Sequence, residues 1–336
     1  MHARVLRLKK SGERPELSLE TEALTPPNEG QVRVKLTSIG LNRADLLFQQ
    51  NRYFQKPELN SRLGFEGGGI IDAVGPNTPF SVGDRVSTCP MAIDVFSQGC
   101  LADYATFTAS QLLPCPSSIA SDSIGAIWMA YLTAWGGLLD AGKLKIGNNV
   151  VITAASSSVG IAAIQIAKQH HASVIATTTS PGKFEALKEL GADAVILQPR
   201  EPSEFDNYLE AIKTFTRGQG SDLVFDAVAG PASHALIKAS KRGGRIIFHG
   251  LLDRRPMDVH AGVLMKRLLT LKGYTLDQTL SDADKKIAAV KGIYDGIETG
   301  SLKPTIAKFF TLEQYQSAFD YLRSNQQFGK VVIHLK

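Results

Sequence analysis

The middle of the chain alternates short β-branched apolar runs with longer segments in which apolar residues recur at helical spacing. The runs predict strands at 150–154, 173–177, 194–197, 223–227 and 245–249, and the intervening segments predict helices at about 160–170, 182–190, 204–215 and 232–241. Strands buried on both faces and joined by helices form parallel sheets with right-handed crossovers. We therefore predict a doubly wound α/β domain.

The first 120 residues have a different pattern. Val32 to Leu36 alternate apolar and polar side chains, which is typical of a half-buried strand, and Gly- and Pro-rich punctuation recurs between such segments. A short helix is predicted over Asn42–Gln50. Near the end of the chain the pattern predicts helices over Asp282–Gly300 and Leu312–Ser324 and a closing strand at Val331–Ile333.

The composition changes near Ser121, where Ser121 and Asp122 form an N-cap pair before a long apolar helix that runs through Ile127, Met129, Leu132 and Leu138. We expect a β-rich domain made of residues 1–121 and 271–336, with the α/β domain, residues 122–270, inserted between its two parts.

A turn of small residues follows the first α/β strand and opens a helix. Glycine positions of a G-x-G-x-x-G fingerprint are held here by Ala155, Ser157 and Gly160, so only the last is glycine. Small residues let the backbone approach a ligand, and a helix N-terminus offers free N–H groups to an anion. The turn predicts a dinucleotide pyrophosphate site at Ala155, Ser156, Ser157, Ser158, Val159 and Gly160; an ordinary βα turn is the alternative.

The end of the next strand carries hydroxyl groups and a cation. Thr178, Thr179, Ser180 and Lys183 stand where NAD-binding chains place an acid for the ribose 2′-hydroxyl. A carboxylate would repel a 2′-phosphate, whereas hydroxyls and an ammonium bind it. The segment therefore favours NADP(H) over NAD(H).

Two further strand ends fall at the same edge of the predicted sheet. Asp226–Gly230 ends one strand, and Gly250 and Leu251 end another, where main-chain contacts to the cofactor are expected. Asp226 is equally consistent with a structural cap. His249, beside Gly250, has no assigned role.

Composition and charge narrow the function classes. A formal charge of +5 without interleaved basic and aromatic residues does not predict nucleic-acid binding. The sequence shows neither a signal peptide nor a run of about 18 apolar residues, so we expect a cytoplasmic protein without a membrane span. Three cysteines without metal-ligand spacing predict neither disulfides nor a metal site.

The order and spacing of several segments resemble the medium-chain dehydrogenase/reductase superfamily, and within it the zinc-free NADPH:quinone oxidoreductase branch. The resemblance covers nearly the whole chain and rests on 40–45 (GLNRAD), 64–69 (GFEGGG), 82–86 (VGDRV), 132–135 (LTAW), the turn at 154–160 and 328–332 (FGKVV). It implies a GroES-like catalytic domain that contains an inserted Rossmann domain. It also implies a homodimer.

Two positions depart from the zinc enzymes of that superfamily. Asn42 stands where they carry a cysteine ligand, and Phe65 stands where they carry a histidine. Amide and phenyl groups do not replace thiolate and imidazole as zinc ligands. The four-cysteine lobe of a structural zinc is absent as well, so we predict zinc-independent chemistry. Ser157 and Ser158 also depart from the glycines common in the branch, which places cofactor affinity in question.

The resemblance implies roles for four more residues. Tyr53 and Asn42 would line the catalytic cleft and polarise the acceptor oxygen, with an apolar acceptor against Phe54, Phe65 and Trp128. Thr133 would face the nicotinamide ribose, and Lys330 would lie near the nicotinamide. Each residue also has a purely structural alternative. This is an exposed loop position for Tyr53, a helix N-cap for Asn42, a helical hydroxyl bonded to its own backbone for Thr133 and a strand start for Lys330.

The predicted activity is NADPH-dependent reduction of a quinone or another α,β-unsaturated carbonyl by hydride transfer. Reduction of an alkenal or of an enoyl thioester is the related alternative. An alternative of another class is a catalytically idle NADPH-binding protein that senses redox state or associates with RNA.

Overall fold

The computed structural model of the protein describes residues 2–335. The strands in this range are β1 His2–Lys10, β2 Glu16–Ala23, β3 Gln31–Leu41, β4 Gly67–Val74, β5 Arg85–Thr88, β6 Tyr104–Thr108, β7 Leu112–Pro114, β8 Asn149–Ile152, β9 Ser173–Thr178, β10 Ala194–Leu197, β11 Ser221–Asp226, β12 Ser240–Phe248, β13 Thr270–Gly273, β14 Ile306–Phe310 and β15 Lys330–His334.

The α-helices of the same range are α1 Arg43–Gln49, α2 Val95–Gln98, α3 Trp128–Trp135, α4 Ser158–Gln169, α5 Phe184–Glu189, α6 Phe205–Phe215, α7 Ser233–Ala239, α8 Ala261–Arg267, α9 Asp277–Leu280, α10 Ala283–Glu298 and α11 Tyr315–Arg323. Short 3₁₀ turns occur at Ala109–Gln111, Ser121–Ala126, Pro181–Lys183, Pro202–Glu204 and Leu312–Gln314, and a π-helical turn at Gly136–Ala141. No helix among the described residues has the length and apolar character needed to cross a membrane.

The chain divides into two compact units. The first unit comprises the chain up to Ala130 together with Pro304 onward, and the second unit comprises Tyr131–Lys303. This division differs from the predicted boundaries at 122 and 270, because α10 belongs to the second unit. There Gly292 packs so closely on Trp135 that an added Cβ would lie 2.1 Å from the indole ring.

The first unit is built on a mostly antiparallel sheet in the order β14-β15-β3-β4-β5-β7, with β6 also paired to β3. β15 runs antiparallel to β3, and Val331 lies opposite Leu41. The same register brings Lys330 next to Asn42, although 288 positions separate them in the chain. The long β3 therefore joins the closing strand of the chain to the segment that begins α1.

The second unit contains a six-stranded sheet in the order β10-β9-β8-β11-β12-β13, and all five of its strand pairings are parallel. β8 lies between β9 and β11, so the strand order reverses at β8. Ligands of such sheets bind outside the carboxyl ends of the strands at this reversal. Val150 and Val151 of β8 and Val224 and Phe225 of β11 are fully buried, as strands covered on both faces require.

The predicted fold class, a doubly wound parallel sheet together with a β-rich part, is confirmed. The five predicted α/β strands occur within a few residues of their expected positions. The predicted long helix after Ser121 differs: a 3₁₀ turn, α3 and a π-helical turn follow one another instead. Glycines stand at these interruptions: an added Cβ would lie 2.4 Å from Ser38 O at Gly125 and 2.0 Å from the Tyr274 hydroxyl at Gly136.

Candidate functional site

The turn between β8 and α4 presents a helix N-terminus at the strand reversal. Ala154 takes a left-handed conformation with φ of 46°, which costs energy for a residue with a Cβ. Ser157 is the N-cap of α4, and its Oγ accepts a hydrogen bond from Gly160 N at 3.0 Å. An added Cβ at Gly160 would lie 2.6 Å from Ala155 Cα, so glycine is required for the helix to pack on its own turn.

The remaining serines of this turn have different positions. Ser156 is 8% exposed, and Ser158 is the first residue of α4. Ser157 is thus committed to capping the helix, whereas the N–H groups of the first helical turn can still meet an anion. The turn thus offers the N-terminus of α4 to an anion, and the cofactor contacts at Ala155–Gly160 stay predictions.

A buried polar cluster joins the ends of β8 and β11 across the strand reversal. Thr153 Oγ1 donates to Asp226 Oδ1 at 2.6 Å and accepts from Ala227 N at 2.8 Å. Asp226 also accepts hydrogen bonds from Val228 N and Ala229 N. Burial raises the pKa of Asp226, and these hydrogen bonds oppose the rise. The carboxylate therefore has the capping role, and it fixes the two turns that border the predicted nucleotide site.

The hydroxyl-rich end of β9 lies close to the same turn. Lys183 Nζ donates to Ser156 Oγ at 3.2 Å, and Ser180 N donates to Thr178 Oγ1 at 3.2 Å. Burial lowers the pKa of the Lys183 ammonium, because a charge in a partly desolvated place is disfavoured unless an anion compensates it. Thr179 follows directly at the strand end. Cation, hydroxyls and backbone N–H groups together fit a phosphate.

The other predicted contacts of the second unit lie at Thr133, Gly250 and Leu251. Gly250 packs on the turn after β11, where an added Cβ would meet Ala227 O at 2.7 Å. Leu251 is 59% exposed, and Thr133 is a half-buried residue of α3. These positions are compatible with the predicted main-chain and ribose contacts, which stay predictions.

A buried charge cluster in the first unit contains two of the predicted site residues. Lys330 Nζ donates to Glu66 Oε2 at 2.5 Å and to Asn42 Oδ1 at 2.6 Å, and the side chains of Lys330 and Glu66 are both 1% exposed. Asn42 Nδ2 donates to Gly40 O at 3.0 Å and to Glu66 Oε2 at 3.3 Å. The amide of Asn42 is therefore fully engaged inside the cluster.

A second carboxylate borders this cluster. Asp45 is fully buried and accepts hydrogen bonds from Asn42 N at 2.8 Å and from Phe65 N at 3.2 Å. Burial raises the pKa of Asp45 to about 7, although the hydrogen bonds and the Lys330 charge oppose the rise. Asp45, Glu66 and Lys330 thus place two acids and one cation together in the interior.

The residues at the positions of zinc ligands do not fit a zinc ion. They offer the Asn42 amide and the Phe65 phenyl ring, and the Lys330 ammonium already occupies the space between Asn42 and Glu66. An ammonium repels a metal dication, and thiolate and imidazole donors are missing. No group of three or more His, Cys, Asp or Glu residues suited to a metal occurs within residues 2–335.

Tyr53 and its aromatic neighbours form the other predicted part of the first unit. The half-buried Tyr53 ring packs against Phe65 at 5.1 Å and Phe54 at 5.2 Å between ring centroids, and its hydroxyl lies 3.8 Å from Met91 Sδ. Phe54 is 80% exposed, whereas Phe65 and Trp128 are buried. Of the three residues predicted to meet an apolar acceptor, Phe54 is the one with an open surface.

Sequence reasoning did not find the ion pair of Lys330 with Glu66 or the burial of Asp45. The partners Lys330 and Glu66 are 264 positions apart, and neither lies in a local pattern that predicts contact. It also left His249 without a role, although this ring stacks on Phe225 with centroids 3.8 Å apart and an interplanar angle of 14°. The position of His249 directly before a predicted strand-end glycine was the available signal.

Comparison with known proteins finds related proteins for both parts of the chain. Residues 28–117 match the family model of the alcohol dehydrogenase GroES-like domain, and residues 158–290 match that of the zinc-binding dehydrogenases. The chain is 29% identical over 336 residues to a quinone oxidoreductase of Lama guanicoe, covering 99% of this chain and 98% of that protein.

Two more similarities extend the comparison. The chain is 29% identical over 335 residues to a mycocerosic acid synthase-like polyketide synthase of Mycolicibacterium smegmatis; the match covers 98% of this chain but spans only 15% of that protein. A solved structure of an NAD-dependent alcohol dehydrogenase superposes with a TM-score of 0.83 at 28% identity, covering 99% of this chain and all of the other. With its two-part fold and these matches, the chain belongs to the medium-chain dehydrogenase/reductase superfamily, in the quinone oxidoreductase branch.

Proposed function

We propose that the protein is an NADPH-dependent, zinc-independent oxidoreductase that reduces a quinone or another α,β-unsaturated carbonyl by hydride transfer. Membership of the family implies an oxidoreductase that uses a nicotinamide nucleotide. The phosphate form of the cofactor, the independence from zinc and the acceptor class are the specific parts of the proposal.

Preference for NADPH is supported by the end of β9. Lys183, bonded to Ser156, and the hydroxyls of Thr178 and Ser180 occupy the place of the acid that selects an unphosphorylated ribose. These groups would hold the 2′-phosphate, and the N-terminus of α4 would hold the pyrophosphate. A bound NADPH would supply the hydride.

The placement of the Lys330 ammonium carries the proposal of zinc-independent chemistry. It is held between Asn42 Oδ1 and Glu66 Oε2, at the positions where zinc relatives carry metal ligands. With no metal to polarise the acceptor, a hydrogen-bond donor must stabilise the oxygen that gains negative charge. We assign this role to the Tyr53 hydroxyl, which can donate a hydrogen bond and then a proton.

Asn42 has a different role in this proposal. Both of its amide hydrogens are used by Gly40 O and Glu66 Oε2, and its oxygen accepts from Lys330. It is a positioning residue that connects the ammonium to the start of α1. The exposed ring of Phe54 beside Tyr53 offers an apolar surface, which suits a conjugated acceptor.

Enoyl-thioester reduction is the second candidate. The similarity to a segment of a mycocerosic acid synthase-like polyketide synthase favours it, since the match spans nearly the whole of this chain. The hydride acceptor would again be a carbon conjugated to a carbonyl, so Tyr53 would keep its role.

The test is NADPH oxidation by the purified protein with a benzoquinone, an alkenone and crotonyl-CoA as separate acceptors, each with NADPH and NADH and with and without a chelator. We expect turnover with the quinone or the enone, preference for NADPH and no effect of the chelator. Turnover with the thioester alone would select the second candidate. Absence of turnover with bound NADPH would favour a catalytically idle nucleotide-binding protein.

Tyr53→Phe is the matching variant. Loss of the hydroxyl should lower kcat about 100-fold or more while NADPH binding is retained, as expected for a general acid. Tyr294→Phe, a half-buried tyrosine of α10, is the control and should keep the rate. An unchanged rate in Tyr53→Phe would remove Tyr53 from the mechanism.

We also propose that the protein forms a homodimer through its second unit. β13 is the last strand of the six-stranded sheet, so one of its edges has no partner strand among the described residues. Exposed apolar side chains directly precede it in the chain, with Met265 and Leu268 each more than half exposed. An unpaired edge with apolar neighbours is the type of surface that pairs with a second copy.

A further inference from the structure

His249 is fixed at the carboxyl edge of the parallel sheet by its backbone and by its ring. It directly follows β12, and its N–H donates to Asp226 O at 2.9 Å. Its imidazole stacks face to face on the fully buried ring of Phe225, with centroids 3.8 Å apart. The side chain therefore has a set position beside the turns that border the strand reversal.

The ring nitrogens of His249 have no hydrogen-bond or ion-pair partner on another residue within 2–335, although the residue is half-buried. Burial lowers the pKa of His249 to about 3, although a contact with its own main chain opposes the fall, so the ring is neutral at working pH. A neutral imidazole carries one N–H donor and one lone-pair acceptor. Polar atoms that are partly withdrawn from water and poorly paired cost free energy until a ligand pairs them.

The order of the strands places His249 along the path of the nucleotide. Thr178, which ends β9, and Lys183, which follows it, are the proposed 2′-phosphate groups, and the proposed pyrophosphate turn follows β8. A dinucleotide that runs from β9 over β8 continues over the ends of β11 and β12. Adjacent strands lie about 4.8 Å apart, so the end of β12 is roughly 10 Å beyond β8, on the side away from the adenosine phosphate.

We propose that His249 binds the carboxamide of the nicotinamide ring. A carboxamide offers an NH₂ donor, which the lone pair of a neutral imidazole accepts. A carbonyl or quinone oxygen is only an acceptor and cannot donate a hydrogen bond to that lone pair. Stacking on Phe225 holds the ring, so little side-chain entropy is lost on binding. The inference rests on the proposed use of NADP(H).

The test compares three probes by calorimetry: NADP⁺, its analogue in which an acetyl group replaces the carboxamide, and 2′,5′-ADP, which lacks the nicotinamide end. The wild-type protein should bind NADP⁺ more tightly than the acetyl analogue. His249→Phe keeps a ring on Phe225 and should weaken NADP⁺ about tenfold, to the level of the analogue. Binding of 2′,5′-ADP should not change, which also shows that the variant is folded.

His170→Phe is the matched control, since His170 also contacts an aromatic ring, that of Trp135, at 6.1 Å in the same unit. It should bind all three probes like the wild type. The inference is overturned if His249→Phe binds NADP⁺ with wild-type affinity, or if it weakens NADP⁺ and 2′,5′-ADP equally. A wild-type protein that binds none of the three probes would overturn the proposed function as well.

Discussion

At the scale of single residues, Lys330 is a buried cation of the first unit. Its ammonium contacts the Glu66 carboxylate and the Asn42 amide in a place with almost no solvent contact. A buried ion pair adds little net stability, yet removing one partner leaves the other charge uncompensated. The pair and the Asn42 amide therefore hold β15, the start of α1 and the segment before β4 together.

Lys330→Met should lower the free energy of unfolding by about 3–5 kcal/mol, because Glu66 would remain buried without its cation. Urea denaturation measures the loss. The double variant Lys330→Met/Glu66→Gln should recover part of it, since the isolated charge is removed. Lys308→Met changes an exposed lysine of the neighbouring β14 and should stay within about 0.5 kcal/mol of the wild type. Equal losses in both lysine variants would contradict the buried-pair interpretation.

Asp45 makes stability depend on pH in the neutral range. Its pKa is raised by burial from 3.8 to about 7 in the folded state, so between these values the folded protein holds a proton that the unfolded chain has released. The stabilising contribution is fully present below pH 3.8 and is lost as the pH rises through 7. Its slope is at most about −1.4 kcal/mol per pH unit.

Urea denaturation of the wild type and of Asp45→Asn at about pH 5, 6, 7 and 8 isolates this contribution. The stability difference, wild type minus variant, should shrink as the pH rises through about 7. The amide in the variant offers one backbone acceptor fewer than the carboxylate, but that cost is independent of pH. His249 contributes the opposite slope, because its pKa is lowered, and it cancels in the difference. A constant difference across this pH series would show that Asp45 is ionised throughout.

At the scale of elements, the turn from β8 to α4 forms a capped helix N-terminus although only one of the three glycine positions of the fingerprint holds glycine. The glycine positions held by Ala155 and Ser157 are compatible with the turn because Ser157 caps the helix and Ala154, not either of them, takes the left-handed conformation. The single glycine, Gly160, stands where a Cβ would strike Ala155. The serine that was unexplained from the sequence alone has a capping function.

Ser157→Ala should destabilise the protein by about 1 kcal/mol, because Gly160 N loses its acceptor. Ser158→Ala, at the first helical position, is the control and should have little effect on stability. Thermal unfolding followed by circular dichroism compares the two. If both variants unfold at the wild-type temperature, the Ser157 cap does not contribute to stability.

At the scale of the whole molecule, the proposed homodimer gives a prediction about assembly. Met265→Glu puts a charge among the exposed apolar residues near β13 and should shift the molar mass in solution from twice the chain mass towards 36.3 kDa. Light scattering after size-exclusion chromatography measures it. Ile287→Glu, which changes another exposed apolar residue of the second unit, should leave the mass unchanged. A wild-type monomer would refute the dimer.

The sequence by itself determined the second unit in most of its detail. Val150–Ile152 and the other β-branched runs specify buried parallel strands, and the small residues from Ala155 to Gly160 specify the turn, because both depend on local spacing and side-chain size. The hydroxyls and the cation at the end of β9 were predicted for the same reason, because they lie next to each other in the sequence. The breaks around α3 were not predicted, because Gly125 and Gly136 are set by close contacts with distant residues.

Only the tertiary structure decided which polar groups meet. Pairing of β15 with β3 brings Lys330 to Asn42 and Glu66, and alignment of β11 with β12 stacks His249 on Phe225. These contacts join positions far apart in the chain, so no local period encodes them. One consequence is that the Asn42 amide is fully hydrogen-bonded. The other is that the His249 imidazole is neutral, because burial lowers its pKa, and burial is set by the folded packing alone.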